Sequence, residues 1–312
     1  MGDRIGSRSN SPRPEGNRLD SLESDGCLSL THYMDSHSRE RNQNPNRNAD
    51  ETPRPPVRSN AWILGARPRL AARRRLFCLP YAGGAASVFR SWAEMLPEDV
   101  EVCPVQLPGR GARFREAPFR RVADLVPALA EGLLPLLDLP FALFGHSMGA
   151  VVAFELAREL RRRGAGAPVL LALSGHQAPL RPDAEPPFSH LPDAEFLEEV
   201  RRRYDGIPPE VLAEEELLQL LLPVLRADIQ VLETYAYVKE PPLDCPISCF
   251  GGEDDPHVSL ADLEAWRDET RGPLKVRTFP GGHFFVESAR AEVLHALTRD
   301  LAPSSSSGTG PA

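Results

Sequence analysis

The pentapeptide Gly145-His146-Ser147-Met148-Gly149 has the form Gly-x-Ser-x-Gly, a spacing that can present a serine as a nucleophile. Three such residues recur by chance in roughly one chain in ten of this length, at usages near 7% each, so context must decide. An apolar run, Phe141-Ala142-Leu143-Phe144, leads straight in, and Ala150, Val151, Val152 and Ala153 lead straight out in a helical pattern. A sharp strand-to-helix bend needs small flanking residues if the serine Oγ is to stand exposed. The competing reading is a serine that merely caps a helix. Strand before and helix after favour the nucleophile.

A serine hydroxyl needs a base to take its proton and a third group to orient that base. With a nucleophile on this kind of bend, the partners follow in the order Asp or Glu, then His. The run CPISCFGG (245–252) leads into Glu253-Asp254-Asp255-Pro256, and LKVRTFPGG (274–282) leads into His283. His283 is the best base. His32 and His37 lie in the polar amino-terminal segment, His146 is inside the bend, and His176 and His190 precede the acids. His257 is almost beside them, and His295 falls in a helical pattern. Acyl transfer also needs donors for an oxyanion. The Met148 N–H is one, and the loop Pro80-Tyr81-Ala82-Gly83-Gly84 should supply the other. Ala82 is preferred, with Gly83 the alternative. Neither a phosphate-cradling loop nor a dinucleotide fingerprint is present, so no nucleotide cofactor is expected, and no metal site either.

These residues need a scaffold. Short apolar runs at 76–80, 100–108, 141–145, 169–175, 245–252 and 274–282 read as buried strands. Helical patterns at 121–137, 149–163, 259–271 and 287–301 fall between them. The alternation implies an α/β fold, a mostly parallel sheet with helices on both faces. Residues 185–238 break the rhythm with helical patterns near 192–203, 209–221 and 223–236. They predict a helical lid over the carboxyl edge of the sheet.

The 312 residues carry a net charge of −8, which disfavours a nucleic-acid surface. Residues 1–75 hold 14 Arg against nine Asp or Glu, so the remainder carries −13. The polar composition of residues 1–74 predicts a disordered or dispensable extension, and 303–312 a disordered tail. The body is expected at 75–302. The longest apolar stretch, 132–145, is interrupted by Pro135, Asp138 and Pro140, so no membrane span is expected. Five cysteines without a Cys-x-x-Cys pair, and no signal-peptide core, fit a cytoplasmic protein with reduced thiols.

In order along the chain, LPYAGGAAS (79–87), QLPGRGAR (106–113), GHSMGA (145–150), SGHQAP (174–179), LLPVLRADIQVLETY (221–235), GGEDDPHVS (251–259) and FPGGHFF (279–285) resemble the type II thioesterases that accompany polyketide and non-ribosomal peptide synthases. The resemblance covers about 75–302. It implies an α/β-hydrolase fold with a helical lid, and hydrolysis of acyl groups from the phosphopantetheine arm of carrier proteins, as housekeeping for the assembly line. By motif, Ser147 is the nucleophile, Asp255 the orienting acid and His283 the base. Pro256 after Asp255 also biases that residue toward an extended conformation. Carrier-protein domains are the implied partners of a monomer, and no diffusible cofactor is implied. Alternatives are a chain-releasing thioesterase, a general carboxylesterase, or an idle docking module. Tyr81 stands where the family often has histidine. Arg110 and Arg113 could meet a phosphate or make fold-supporting ion pairs. Arg226 and Asp228 are expected to form a structural pair.

Overall fold

The structure is a computed structural model that describes residues 60–66, 69–180, 185–204 and 215–302. One sheet holds six strands: β1 Arg74–Leu79, β2 Val100–Pro104, β3 Phe141–His146, β4 Leu170–Ser174, β5 Ile247–Gly252 and β6 Leu274–Phe279. All pairs are parallel, in the order β2-β1-β3-β4-β5-β6. The chain steps outward from β1 to β2, then crosses to the other side of β1 and proceeds outward again. The carboxyl ends of β1 and β3 therefore lie side by side, with Leu79 level with Gly145. Doubly wound sheets bind ligands at such a reversal.

The helices are α1 Trp92–Met95, α2 Val122–Leu133, α3 Met148–Arg162, α4 Asp193–Tyr204, α5 Glu215–Glu233, α6 Leu260–Glu264, α7 Phe285–Ser288 and α8 Arg290–Leu301. Alternate strand residues feed opposite cores. Phe77, Leu143 and Leu171 pack with Leu129, Val151, Leu156 and Trp266, whereas Leu76, Phe144 and Ala172 pack with Trp92, Val293 and Leu297. Strands buried on both faces explain the unbroken apolar runs. The edge strand β6 is only half-buried.

Between β4 and β5 the described residues contain α4 and α5 and no strand. Phe188, Phe196 and Val200 pack against Leu222, Leu225 and Ile229 to make a small core of their own, with Ala82 beneath it. The expected helix at 192–203 is present, but the patterns near 209–221 and 223–236 are not separate helices where the structure describes them. The helix α5 runs through Pro223. An interior proline costs about 3 kcal/mol, and burial of Leu222, Leu225, Ile229 and Val231 outweighs it. Residues 209–214 lie outside the described part.

Residues ahead of β1 also touch the body. Ile63 bridges Val105, the Gln106 N–H donates to the Trp62 carbonyl (2.8 Å), and Leu64 N–H to that of Pro104 (3.1 Å). The Arg113 guanidinium sits 4.2 Å above the Trp62 ring. Arg69 donates to the carbonyls of Leu96 and Val100. These contacts attach residues 62–64 and Arg69 to the body ahead of β1, where one tryptophan and two apolar residues in a polar context carry too weak a pattern to announce the attachment. Residues 1–59 and 303–312, expected to be disordered, lie outside the described residues. No helix among the described residues is long and apolar enough to cross a membrane.

Candidate active site

Ser147 lies between the end of β3 and the start of α3, with φ 54° and ψ −118°. Among the described residues it alone, apart from glycines, has positive φ. Such a conformation costs about 1–3 kcal/mol and persists only where its surroundings enforce it. Here the enforcement is close backbone approach. A Cβ on Gly145 would lie 1.9 Å from the Gly149 carbonyl oxygen, and one on Gly149 would lie 2.3 Å from that of Leu79. The Ser147 N–H donates to the Ser174 carbonyl at 2.7 Å, tying the bend to β4.

Asp255 and His283 come from the loops after β5 and β6. The loops are laced together: Glu253 N–H donates to the Phe279 carbonyl (2.8 Å) and Asp254 N–H to that of Gly281 (3.0 Å). The Asp255 side chain, wholly covered, places Oδ2 2.8 Å from His283 Nδ1. Its Oδ1 accepts the His257 N–H at 3.0 Å. Burial alone would raise the Asp255 carboxyl, but the bond to His283, the His283 charge and the His257 amide outweigh it and hold the group below its usual range. Asp254 is exposed.

His283 Nε2 is covered and has no partner among the described residues. Ser147 and His283 line one cavity of about 40 Å³, with Tyr81 and Ala82 from the β1 loop, Val200, Tyr204, Leu225, Ile229 and Leu232 from the lid, and Phe284. An imidazole oriented by a carboxylate, beside a serine on a strained bend, can accept that serine's proton. The Ala82 and Met148 amides donate to no acceptor among the described residues. The Gly83 amide does not share that freedom, since it donates to Asp228 Oδ2 at 2.7 Å.

Several site residues were not legible in the sequence. His146 is fully buried beneath the site, its Nδ1 2.9 Å from Ser174 Oγ and its ring 5.2 Å from that of His283. Burial first, and then the nearby His283, push its pKa well below 6.5, so it stays neutral. Tyr81 stacks edge-on against Phe284 (5.0 Å), and its hydroxyl donates to Glu287 at 2.5 Å. Burial and that carboxylate push the phenol up. The expected Arg226–Asp228 pair does not form. Arg226 instead binds Asp193 (2.6 Å) and the Leu191 carbonyl (2.7 Å), while Asp228 binds Arg110. Residues two apart on a helix point away from each other, and partners in distant segments claim both. Arg113 pairs with Glu116. No group of three or more metal-ligating side chains occurs among the described residues.

A parallel sheet of this order, with the serine bend at its reversal and the acid and histidine on later loops, defines an α/β-hydrolase fold with a serine-hydrolase site. The chain belongs to the Thioesterase domain family, whose pattern matches residues 74–301. It is therefore an enzyme of the thioester-hydrolase class. It is 43% identical over 242 residues to the gramicidin S biosynthesis protein GrsT of Aneurinibacillus migulanus, covering 78% of this chain and 94% of that protein. Among solved structures, the RedJ thioesterase of the prodiginine pathway in Streptomyces coelicolor superposes with a TM-score of 0.69 at 42% identity, over 74% of this chain and 87% of that one. The type II thioesterase BorB of the borrelidin cluster does so at 0.70 and 36% identity, over 78% and 98%.

Proposed function

We propose that this enzyme hydrolyses acyl thioesters from the phosphopantetheine arm of carrier-protein domains, clearing acyl groups from a polyketide or non-ribosomal peptide synthase. The observation that carries the proposal is the covered Asp255–His283 pair, whose histidine shares a cavity wall with Ser147 beneath an apolar lid. The likeness to biosynthetic thioesterases supports the choice of substrate.

In the proposed mechanism Ser147 Oγ attacks the thioester carbonyl carbon while its proton passes to His283 Nε2. The carbonyl oxygen becomes an oxyanion held by the Ala82 and Met148 amides. Collapse breaks the carbon–sulfur bond, and the pantetheine sulfur takes the proton from His283 and leaves as the thiol, which returns His283 to its neutral form. Water then attacks the acyl-serine, giving its proton to His283, which returns it to Ser147 Oγ as the carboxylic acid departs. Asp255 keeps the imidazole oriented and stabilises its protonated form. One chain supplies every protein group this mechanism uses, so the proposed unit is a monomer without metal or diffusible cofactor. The four described cysteines are free buried thiols, which suits a cytoplasmic setting.

The test is turnover of an acyl-carrier protein beside an acyl ester of the same chain without the pantetheine arm. The proposal expects the carrier-bound thioester to be preferred and Ser147→Ala to lose at least about 10⁴-fold in kcat while remaining folded. A fluorophosphonate should label the parent at Ser147 and spare the variant. Equal or better turnover of the free ester would make the enzyme a general carboxylesterase. Activity within a few-fold in Ser147→Ala would overturn the nucleophile.

A further inference from the structure

The loop after β1 is gripped by two charged side chains from elsewhere in the chain. Asp228, on the lid helix α5, accepts the Gly83 N–H at 2.7 Å. Arg110, beyond β2, donates to both carboxylate oxygens of Asp228, at 2.6 and 2.7 Å, and to the Gly84 carbonyl at 3.0 Å. Both side chains are almost completely buried, 7% and 3% exposed. Gln106 adds a further contact, accepting the Ala86 N–H at 3.3 Å and donating to the Arg110 carbonyl at 3.0 Å. The Gly84 N–H is also used, closing a turn onto the Tyr81 carbonyl at 2.9 Å. The Gly83, Gly84 and Ala86 amides are thus committed, whereas the Ala82 amide has no acceptor among the described residues and lines the cavity with Ser147.

A buried ion pair is a costly way to hold a loop. Desolvating both charges offsets much of their attraction, and an apolar pair of similar volume often does as well for stability. What such a pair supplies is direction. A carboxylate accepting one amide and two guanidinium N–H groups fixes that amide to within a hydrogen bond's angular tolerance. Oxyanion stabilisation depends on such fixed aim, because a donor contributes only if it already points to where the charge will develop.

We propose that Asp228 and Arg110 are positioning residues for the oxyanion site: they hold Gly83 and Gly84 so that Ala82 N–H is left aimed at the reacting carbonyl. This rests on the acyl-transfer reading of Ser147. Because Asp228 belongs to α5, the second oxyanion donor is in register only while that lid helix is seated. The lid thereby contributes to the chemical step as well as to the pocket wall.

The experiment uses the full chain and a short acyl-pantetheine thioester, with kcat and KM measured separately. It also measures the affinity of an alkyl boronic acid, whose tetrahedral serine adduct places an oxygen in the oxyanion site. Asp228→Ala should lower kcat about 100-fold, the scale of one lost oxyanion donor, with KM within three-fold. Boronate affinity should fall by a similar factor. Asp228→Asn keeps an acceptor for Gly83 N–H and should recover at least ten-fold of that kcat. Parent-like kcat in Asp228→Ala overturns the proposal, as does a loss confined to KM or one that leaves boronate affinity untouched. If Asp228→Ala does not fold, Arg110→Lys decides. It keeps the charge but not the fork reaching both Asp228 and Gly84, and a kcat-selective loss of about ten-fold with weaker boronate binding is expected. Parent-like values there overturn the proposal equally. Failure of the acyl-transfer reading itself would look different, because the parent would neither turn over the thioester nor be labelled at Ser147.

Discussion

The serine bend and the loop after β1 lie side by side on the sheet, yet they are held in opposite ways. The bend is held largely by its own strand, helix and glycines: Gly145 and Gly149 allow backbone approaches that no other residue permits. The loop is held from outside, by a carboxylate 145 residues away and a guanidinium between them in sequence. Asp255 and His283 resemble the bend, since their two loops bind each other directly off adjacent strands. The proposed reacting groups thus belong to the sheet, whereas Asp228 and much of the apolar wall of the cavity belong to the lid. Changes to the first should stop chemistry; changes to the second should reshape it.

The sharpest way to break that division is to exchange the neighbouring acids. Asp255→Asn should lower kcat by about 10⁴-fold, the loss expected when the orienting carboxylate no longer fixes the imidazole tautomer. Asp254→Asn, at an exposed position whose backbone alone binds the histidine loop, should stay within ten-fold of the parent. The reverse ranking on the same acyl-carrier substrate would transfer the role to Asp254.

A second prediction concerns the support beneath the site and is read in stability. Neutral His146 holds a pKa well below 6.5 in the native state, whereas the unfolded chain binds its proton near 6.5. As pH falls below 6.5 the unfolded state therefore takes up a proton that the native state refuses. Stability should drop by up to about 1.4 kcal/mol per pH unit from this group. Asp255, held below 3.8, loses its contribution only at lower pH, outside that window. His146→Gln should flatten the slope of unfolding free energy as pH falls below 6.5. An unchanged slope would show that the imidazole accepts a proton while folded.

The smallest expected effect lies in the lid. Leu225 and Leu232 line the cavity, whereas Leu220 is 71% exposed. Leu225→Phe or Leu232→Phe should shift the ratio of kcat/KM between short and medium acyl chains about ten-fold, roughly 1.4 kcal/mol. Leu220→Phe should leave that ratio alone. A shift from Leu220→Phe as large as from the others would place the acyl chain outside this cavity.

The sequence by itself determined the alternation of apolar runs and amphipathic stretches, and with it the parallel sheet, because strands buried on both faces must be apolar throughout. It also determined the Gly-x-Ser-x-Gly bend and the order of the residues around it, since those needs are local: small flanks for a strained turn, glycines before a histidine. Only the tertiary structure decided which amide of residues 82 and 83 stays free, because Asp228 reaches Gly83 from another element. It likewise decided that α5 continues through Pro223, that Asp228 turns to Arg110 instead of Arg226, and that Trp62 joins the body. Each of these outcomes is a competition between partners far apart in sequence. A local pattern names the groups that can bond, but burial and proximity choose among them.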